Sequence, residues 1–230
     1  MTFARSCWCL DLGIMDFKQA HALQLEVIEA RTANRIGRDV LLFLEHPPVI
    51  TMGRRGGWDN LKVTPSFLAD SGIHLHHIER GGDITYHGPG QLVVYPIVHL
   101  KEAGLGVLGF VECLEEAMIR TAADWGIPAG RDPRNRGVWV GESKMGSIGI
   151  AVRRGIAFHG LALNVDLSLK PYAWITPCGL PGIGMTSMNL EANKPATVSE
   201  VKSTLRHYFE EVFCITLQDI NLYNLKKYLK

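Results

Sequence analysis

GVWVGESKMGSIGIAVRRGIAFHGLALNV, residues 137–165, holds three short apolar runs at 137–140, 145–152 and 156–165. The first ends in Gly141-Glu142-Ser143 and the second in Arg153-Arg154-Gly155. Turns that short join strands lying side by side in opposite directions, so the stretch predicts an antiparallel meander. Helices flank it. Val107–Trp125 carries apolar side chains at 107, 108, 111, 114, 117, 118 and 125, a stripe with helical period, and Val198–Phe213 reads as a second helix.

Toward the N-terminus, residues 6–12 read as a strand, and Asp16 is placed to cap a helix running to about Arg35. A buried strand follows at Val40–Leu44. Pro47-Pro48 break the chain, Val49–Met52 form a short strand, and Gly53-Arg54-Arg55-Gly56-Gly57 reads as a mobile basic loop. Residues 73–78 alternate as a strand, with His74 and His76 on one face and Ile73, Leu75 and His77 on the other. The whole reads as a mixed α/β (α+β) fold in one domain over 1–230, with 219–230 a loosely attached polar tail.

Composition removes whole classes of function. With 230 residues, 47% of them hydrophobic and 20% charged, the chain can bury a full core. Its 24 basic residues nearly balance 23 acidic ones, so no global field points to nucleic acid. No apolar run reaches the roughly 18 residues of a membrane span, and the N-terminus lacks a secretory pattern, which places the expectation in the cytoplasm. Five scattered cysteines, at 7, 9, 113, 178 and 214, suit reduced thiols. Cys7-Trp8-Cys9 is too tightly spaced for the usual zinc pair, and the histidines at 74, 76 and 77 lack a recognisable ligand spacing, so no metal site is expected.

Three segments invite chemistry. Ile175-Thr176-Pro177-Cys178-Gly179-Leu180-Pro181-Gly182 places a thiol in a stiff turn where neither helix nor strand would form. Such a Cys is either a small apolar filler or a nucleophile with backbone N–H groups beside it. Arg80-Gly81-Gly82-Asp83-Ile84-Thr85-Tyr86-His87-Gly88-Pro89-Gly90-Gln91 has glycine turns around a short strand, letting backbone approach a ligand. It matches neither the phosphate-binding loop nor the dinucleotide fingerprint, so neither ATP nor NAD is inferred. Gly141–Gly149 sets Lys144 at the entry of a strand of small residues; alone, it reads as well as a solvated charge.

Taken together, Arg80–Gln91 with Val94-Tyr95-Pro96, Lys144-x-x-Ser147-Ile148-Gly149, Phe158-His159-Gly160-Leu161-Ala162-Leu163-Asn164 and Pro177-Cys178-Gly179 resemble the lipoyl(octanoyl) transferases. Glu45-His46-Pro47-Pro48-Val49-x-Thr51-x-Gly53 is similar to that family's early segment, and the likeness spans roughly residues 8–215 in order. The resemblance implies a fold like the biotin and lipoate protein ligases, a mixed, mainly antiparallel sheet packed with helices. It implies transfer of an octanoyl group from acyl carrier protein to a lysine of lipoyl domains, those of 2-oxoacid dehydrogenase complexes and the glycine cleavage H protein, without a cofactor. Cys178 then falls as the acyl-thioester nucleophile and Lys144 as the cation beside it. Arg80, Gly81, Gly82, Asp83, Ile84, Thr85, Tyr86, His87, Ser147, Ile148, Gly149, Gly160, Leu161 and Ala162 fall in the substrate pocket. The alternatives are an ATP-dependent lipoate- or biotin-type ligase and a non-catalytic binder of lipoyl domains.

The chemistry stands apart from the family name. An unperturbed thiol with a pKa of about 8.5 is only a few per cent ionised near neutrality, so a nearby cation favours the reactive form. Either Lys144 or His87 could take the proton of an incoming amine. Clusters at Arg54-Arg55, Arg131-Arg134-Arg136 and Arg153-Arg154 offer docking to acidic partners, or are simply solvated surface.

Overall fold

Described over residues 5–230 in a computed structural model, the protein starts with strand β1 (Arg5–Ile14). Asp16 begins helix α1 (Phe17–Thr32) by accepting from the Lys18 and Gln19 N–H groups at 2.8 and 3.3 Å. The helix stops short of Arg35 because Asn34 turns left-handed at φ 57° and the Arg35 N–H folds back onto the Ala30 carbonyl. Then come β2 (Asp39–Glu45), β3 (Val49–Met52), the short α2 (Pro65–Asp70), β4 (His74–His77), β5 (Ile84–His87) and β6 (Gln91–His99). Helix α3 (Val107–Ala123) leads to β7 (Gly130–Asp132), β8 (Asn135–Val140), β9 (Ser143–Arg153) and β10 (Ile156–Asn164). The chain closes with β11 (Gly184–Met185), α4 (Met188–Glu191), α5 (Val198–Phe213), β12 (Ile215–Asp219) and α6 (Leu222–Leu229). Thr197 and Glu200 cap α5 reciprocally.

The main sheet runs β12-β1-β2-β6-β10-β9-β8-β7, with β11 paired to β9, and a smaller sheet runs β4-β3-β5. Strands β8, β9 and β10 are the predicted meander, and the basic turn before them is itself the β7–β8 hairpin. Helices cover both faces. Leu41 and Phe43 enter the core beneath α3 and α5, while Val40, Leu42 and Leu44 enter the one beneath α1 and α6. Burial on both sides is why β2 reads as an unbroken apolar run. Cys7 and Cys9 share the α3–α5 core, as same-face positions on one strand must. No helix among the described residues is long and apolar enough to cross a membrane.

Pro96 sits inside β6, a central strand, where its missing N–H should break the ladder. The sheet absorbs it locally. Pairing between β6 and β10 lapses between Ala157 and Leu161 and resumes in the same register. There His159 adopts φ 56°, and its N–H donates instead to Gln24 Oε1 of α1 at 2.8 Å. A Cβ on Gly160 would lie 2.2 Å from the Val94 oxygen and 2.5 Å from Pro96 Cδ, so only glycine fits.

Two sequence expectations need correction. Residues 219–230 are not a loose tail: β12 extends the sheet in parallel with β1, and α6 packs on α1 with Leu225 fully buried. The 53–57 segment is a tied loop, its Gly53, Arg54 and Arg55 N–H groups donating to the carbonyls of Asp83, Arg80 and Gly82 at 3.2, 3.0 and 3.1 Å.

Candidate active site

Cys178 lies in a single 3-10 turn, Pro177–Gly179, with its own backbone left-handed at φ 59°. That conformation costs a non-glycine residue roughly 1–2 kcal/mol, so the surroundings must hold it. On the entering side the Thr176 N–H donates to the Asn60 carbonyl at 2.7 Å. On the leaving side β11 pairs with β9, Met185 opposite Lys144, and the Thr186 N–H donates to the Lys144 carbonyl at 3.0 Å. Below the turn, a Cβ on Gly179 would meet Asp83 Oδ2 at 2.5 Å, and that carboxylate accepts from Asn60 Nδ2 at 2.8 Å. These ties close a separation of 34 positions, and Lys144 Nζ donates to Cys178 Sγ at 3.3 Å.

Lys144 is 1% exposed, and all three ammonium donors are used. Besides the sulfur, Nζ reaches Asn135 Oδ1 at 2.6 Å and the Arg136 carbonyl at 2.8 Å, and lies 5.4 Å from the centre of the Trp139 ring. Register between β8 and β9 slips by one residue at this point, a bulge that re-aims the lysine. Gly137, at φ 132°, leaves the room; a Cβ there would meet Lys144 Cε at 2.7 Å. Burial lowers the Lys144 pKa below its ordinary value, while the Cys178 sulfur works to raise it. The hairpin supplying Asn135 and Arg136 is anchored on Glu115 of α3, itself 1% exposed, which accepts from the Gly137 N–H at 2.9 Å and from Arg131 and Arg136 at 3.2 and 3.3 Å.

The dyad opens into a cleft of about 680 Å³. Of the residues the sequence placed there, Arg80, Gly81, Gly82, Asp83, Ile84, Thr85, His87, Ser147, Ile148, Gly149, Gly160, Leu161 and Ala162 line it with Lys144 and Cys178. Tyr86 does not. Successive side chains on β5 alternate, and Tyr86 packs edge-on against Tyr172 in the core of the small sheet. Gly149 lets the Arg80-Gly81 backbone lie on β9, where the Gly81 N–H donates to the Ile150 carbonyl at 2.7 Å; a Cβ would meet Arg80 Cδ at 2.9 Å. Phe17, Ile78, Val93 and Ile150, outside the quoted motifs, add apolar wall, and Tyr95 from the Val94-Tyr95-Pro96 segment joins them.

Arg80 is a second buried cation of the cleft, donating to the Gly81 carbonyl at 3.0 Å and to the Thr51 carbonyl and hydroxyl at 2.8 Å. Burial pulls its pKa down to about 10, with Cys178 the leading influence in the other direction. His87 is buried with its ring nitrogens on Thr51 Oγ1 at 3.3 Å and Gln91 Oε1 at 2.7 Å. Desolvation, then His46, pushes His87 down to about 3, which makes it a weak base. The Gly179 and Leu180 N–H groups, which the turn sequence offered for an oxyanion, close the turn itself onto Thr176 and Pro177.

The remaining thiols lie outside the cleft. Burial pushes Cys7 up, Cys9 up to about 12 and Cys113 up, which suits packing. Cys214 caps α5 on the surface. Much of the expected basic docking surface is neutralised internally, because Arg131 and Arg136 pair with Glu112, Glu115 and Glu116, and Arg134 pairs with Asp132. Asn135 and Glu115 escaped the sequence reading. Asn135 sat within an apparent charge run, and Glu115 is one acid among several on α3.

Against known proteins, residues 16–210 match the family model of the lipoyl protein ligase A/B catalytic domain. An octanoyltransferase of Desulfotalea psychrophila is 47% identical over 206 residues, 89% of this chain and 92% of that relative. One from Syntrophobacter fumaroxidans is 43% identical over 209 residues, 91% of each. Among solved structures, lipoate-protein ligase A bound with ATP superposes with a TM-score of 0.74 at 16% identity, over 98% of this chain and 92% of that one. The biotin protein ligase of Aquifex aeolicus gives 0.51 at 12%, over 92% and 70%. At such identities these two establish the fold, a mixed α/β sheet shared by lipoate and biotin ligases. The chain belongs to the lipoyl protein ligase A/B catalytic-domain family and, within it, to the octanoyltransferases.

Proposed function

We propose that the protein transfers an octanoyl group in protein lipoylation, from octanoyl-acyl carrier protein through a thioester on Cys178 to a lysine of a lipoyl domain. The observation behind this reading is Lys144 Nζ at 3.3 Å from Cys178 Sγ in a cleft that carries charged residues and an apolar wall together. In the first half-reaction the thiolate attacks the carrier thioester carbonyl, with Arg80 as fixed positive charge near the developing oxyanion. Collapse expels the carrier thiolate, which takes a proton from Lys144 and leaves as thiol.

Acylation removes the anionic sulfur that holds the proton on Lys144, and burial then favours the neutral amine. In the second half-reaction the neutral amine of the lipoyl-domain lysine attacks the acyl carbon and its surplus proton passes to Lys144. The amide forms, the Cys178 thiolate leaves, and the starting ion pair is restored. Lys144 suits this role better than His87, whose nitrogens are both engaged and whose pKa lies near 3. Along the cleft, Ile148, Leu161 and Ala162 with Phe17, Val93 and Ile150 offer apolar wall for the chain, at about 0.8 kcal/mol per buried methylene.

Intact-protein mass after mixing with octanoyl-acyl carrier protein, without ATP, tests this. A hydroxylamine-labile octanoyl adduct is expected on the wild type and not on Cys178→Ser. An adduct on neither would overturn the thioester route. Acylation only after adding ATP and free octanoate would identify a ligase.

A further inference from the structure

Behind the cleft, whose lining includes His159, three side chains from three separate elements converge. His21 comes from α1, Glu79 from the segment between β4 and β5, and His159 from the lapse in β10 pairing. One ligand atom from each lies within 4.8 Å of the other two. His21 Nε2 is 3.1 Å from Glu79 Oε1, and the two imidazoles stack at 5.4 Å with 14° between planes, presenting their edges to one carboxylate. His159 is 2% exposed, and its Nε2 is buried without a hydrogen-bond partner. The nearest carboxylate oxygen, Glu79 Oε2, stands 3.6 Å away, beyond hydrogen-bond reach. A buried ring nitrogen left unmade is costly, and native proteins rarely tolerate one without reason.

We propose that His21, Glu79 and His159 form a divalent transition-metal site of the zinc class. Two imidazoles and one carboxylate are the donor set such ions take, and the ligand count leaves positions for water or another ligand. His21 and Glu79 keep about a quarter of their side-chain surface open, 23% and 26%, giving the ion an entry path. Among the described residues this is the cluster where donors converge; the His74–His77 row, set aside in the sequence for want of a ligand spacing, packs through His76 on Phe17 and His77 on Trp58. Because His159 and Arg80, the neighbour of Glu79, both line the cleft, a bound ion would staple α1, β10 and the glycine loop behind the acyl site.

Zinc titration of metal-free Cys178→Ser protein tests the site with the reactive thiolate out of play, read by calorimetry and melting temperature, with cobalt absorption as the ligand-field probe. One equivalent of zinc should bind with micromolar or tighter affinity and raise the melting temperature. His21→Ala and Glu79→Gln, both partly exposed positions, should each weaken binding at least about ten-fold, and His76→Ala should leave it unchanged. Absence of binding at about 100 µM zinc, far above the affinity of a built site, overturns the proposal. So does binding of equal strength in His21→Ala and Glu79→Gln. Affinity should fall in acid as the imidazoles protonate, which separates ligation from a surface effect.

Discussion

Replacing Lys144 with Met keeps the length of the side chain and removes its charge. For the proposed ion pair, unit charges at the 3.3 Å Nζ–Sγ separation attract by about 5 kcal/mol at an effective dielectric of about 20. That figure needs discounting, because Cys178 is partly exposed, water replaces some of the lost interaction, and Arg80 remains in the cleft. A net loss of about 1.4 to 2.8 kcal/mol for the anionic sulfur corresponds to a ten- to hundred-fold slower reaction with iodoacetamide near neutral pH. Site-resolved mass spectrometry would follow the rate at Cys178 and, as internal reference, at exposed Cys214, which should not change. The fold should survive. Loss of a buried charge offsets the cost of stranding Asn135 Oδ1 and the Arg136 carbonyl, about 1–3 kcal/mol each. A folded Lys144→Met protein that alkylates at Cys178 as fast as wild type would refute the pairing as the source of reactivity. Lys144→Arg should also fail to restore the rate, since a planar fork cannot reproduce three converging donors at a site 1% exposed.

Gly160→Ala should lower stability by more than about 3 kcal/mol or prevent folding, because its Cβ would meet backbone oxygen at 2.2 Å; Gly37→Ala, with nothing within 4 Å, is the control, and denaturant midpoints would compare them. Acid should destabilise the protein through His46 and His87, which desolvation holds down to about 4 and about 3. Unfolded histidines titrate near 6.5, so below that pH the unfolded chain binds up to two more protons than the native one, and stability falls as pH falls, by as much as about 2.7 kcal/mol per unit. Urea midpoints at about pH 7.5, 6 and 5 should show this slope, and His46→Gln should flatten it by about one proton; an unflattened slope would refute the assignment.

Legibility in the sequence follows the range of the interaction. The meander at 137–165, the Asp16 cap and the Val198–Phe213 helix are local patterns, and the structure places them within a few residues of the reading. The C-terminal segment misled because its attachment is not local. Helix α6 carries leucines and tyrosines beside its lysines, yet Leu225 is the residue it buries, in a core shared with α1 some two hundred positions earlier. The 53–57 loop misled for a related reason, since glycines and arginines suggest mobility while the bonds that tie the loop come from the carbonyls of Arg80, Gly82 and Asp83.

Within the site, the sequence could name the residues proposed to react more easily than what positions them. Cys178 and Lys144 each stand out in an odd local setting, but the two-residue pairing of β11 with β9 that brings them together has no periodicity to announce it. Asn135 has no local signature either, because its role exists only once the β8–β9 bulge turns Lys144 toward it. The glycines are the exception. Gly149 and Gly160 face each other across β9 and β10, one against the Arg80-Gly81 backbone and the other against Pro96. A proline in a central strand forces its neighbour to yield, and the same lapse in pairing that accommodates Pro96 frees His159 to aim its ring behind the cleft. The motif Phe158-His159-Gly160 thus reflects one steric problem with two consequences: a cleft wall that admits only glycine, and a buried imidazole with an open nitrogen.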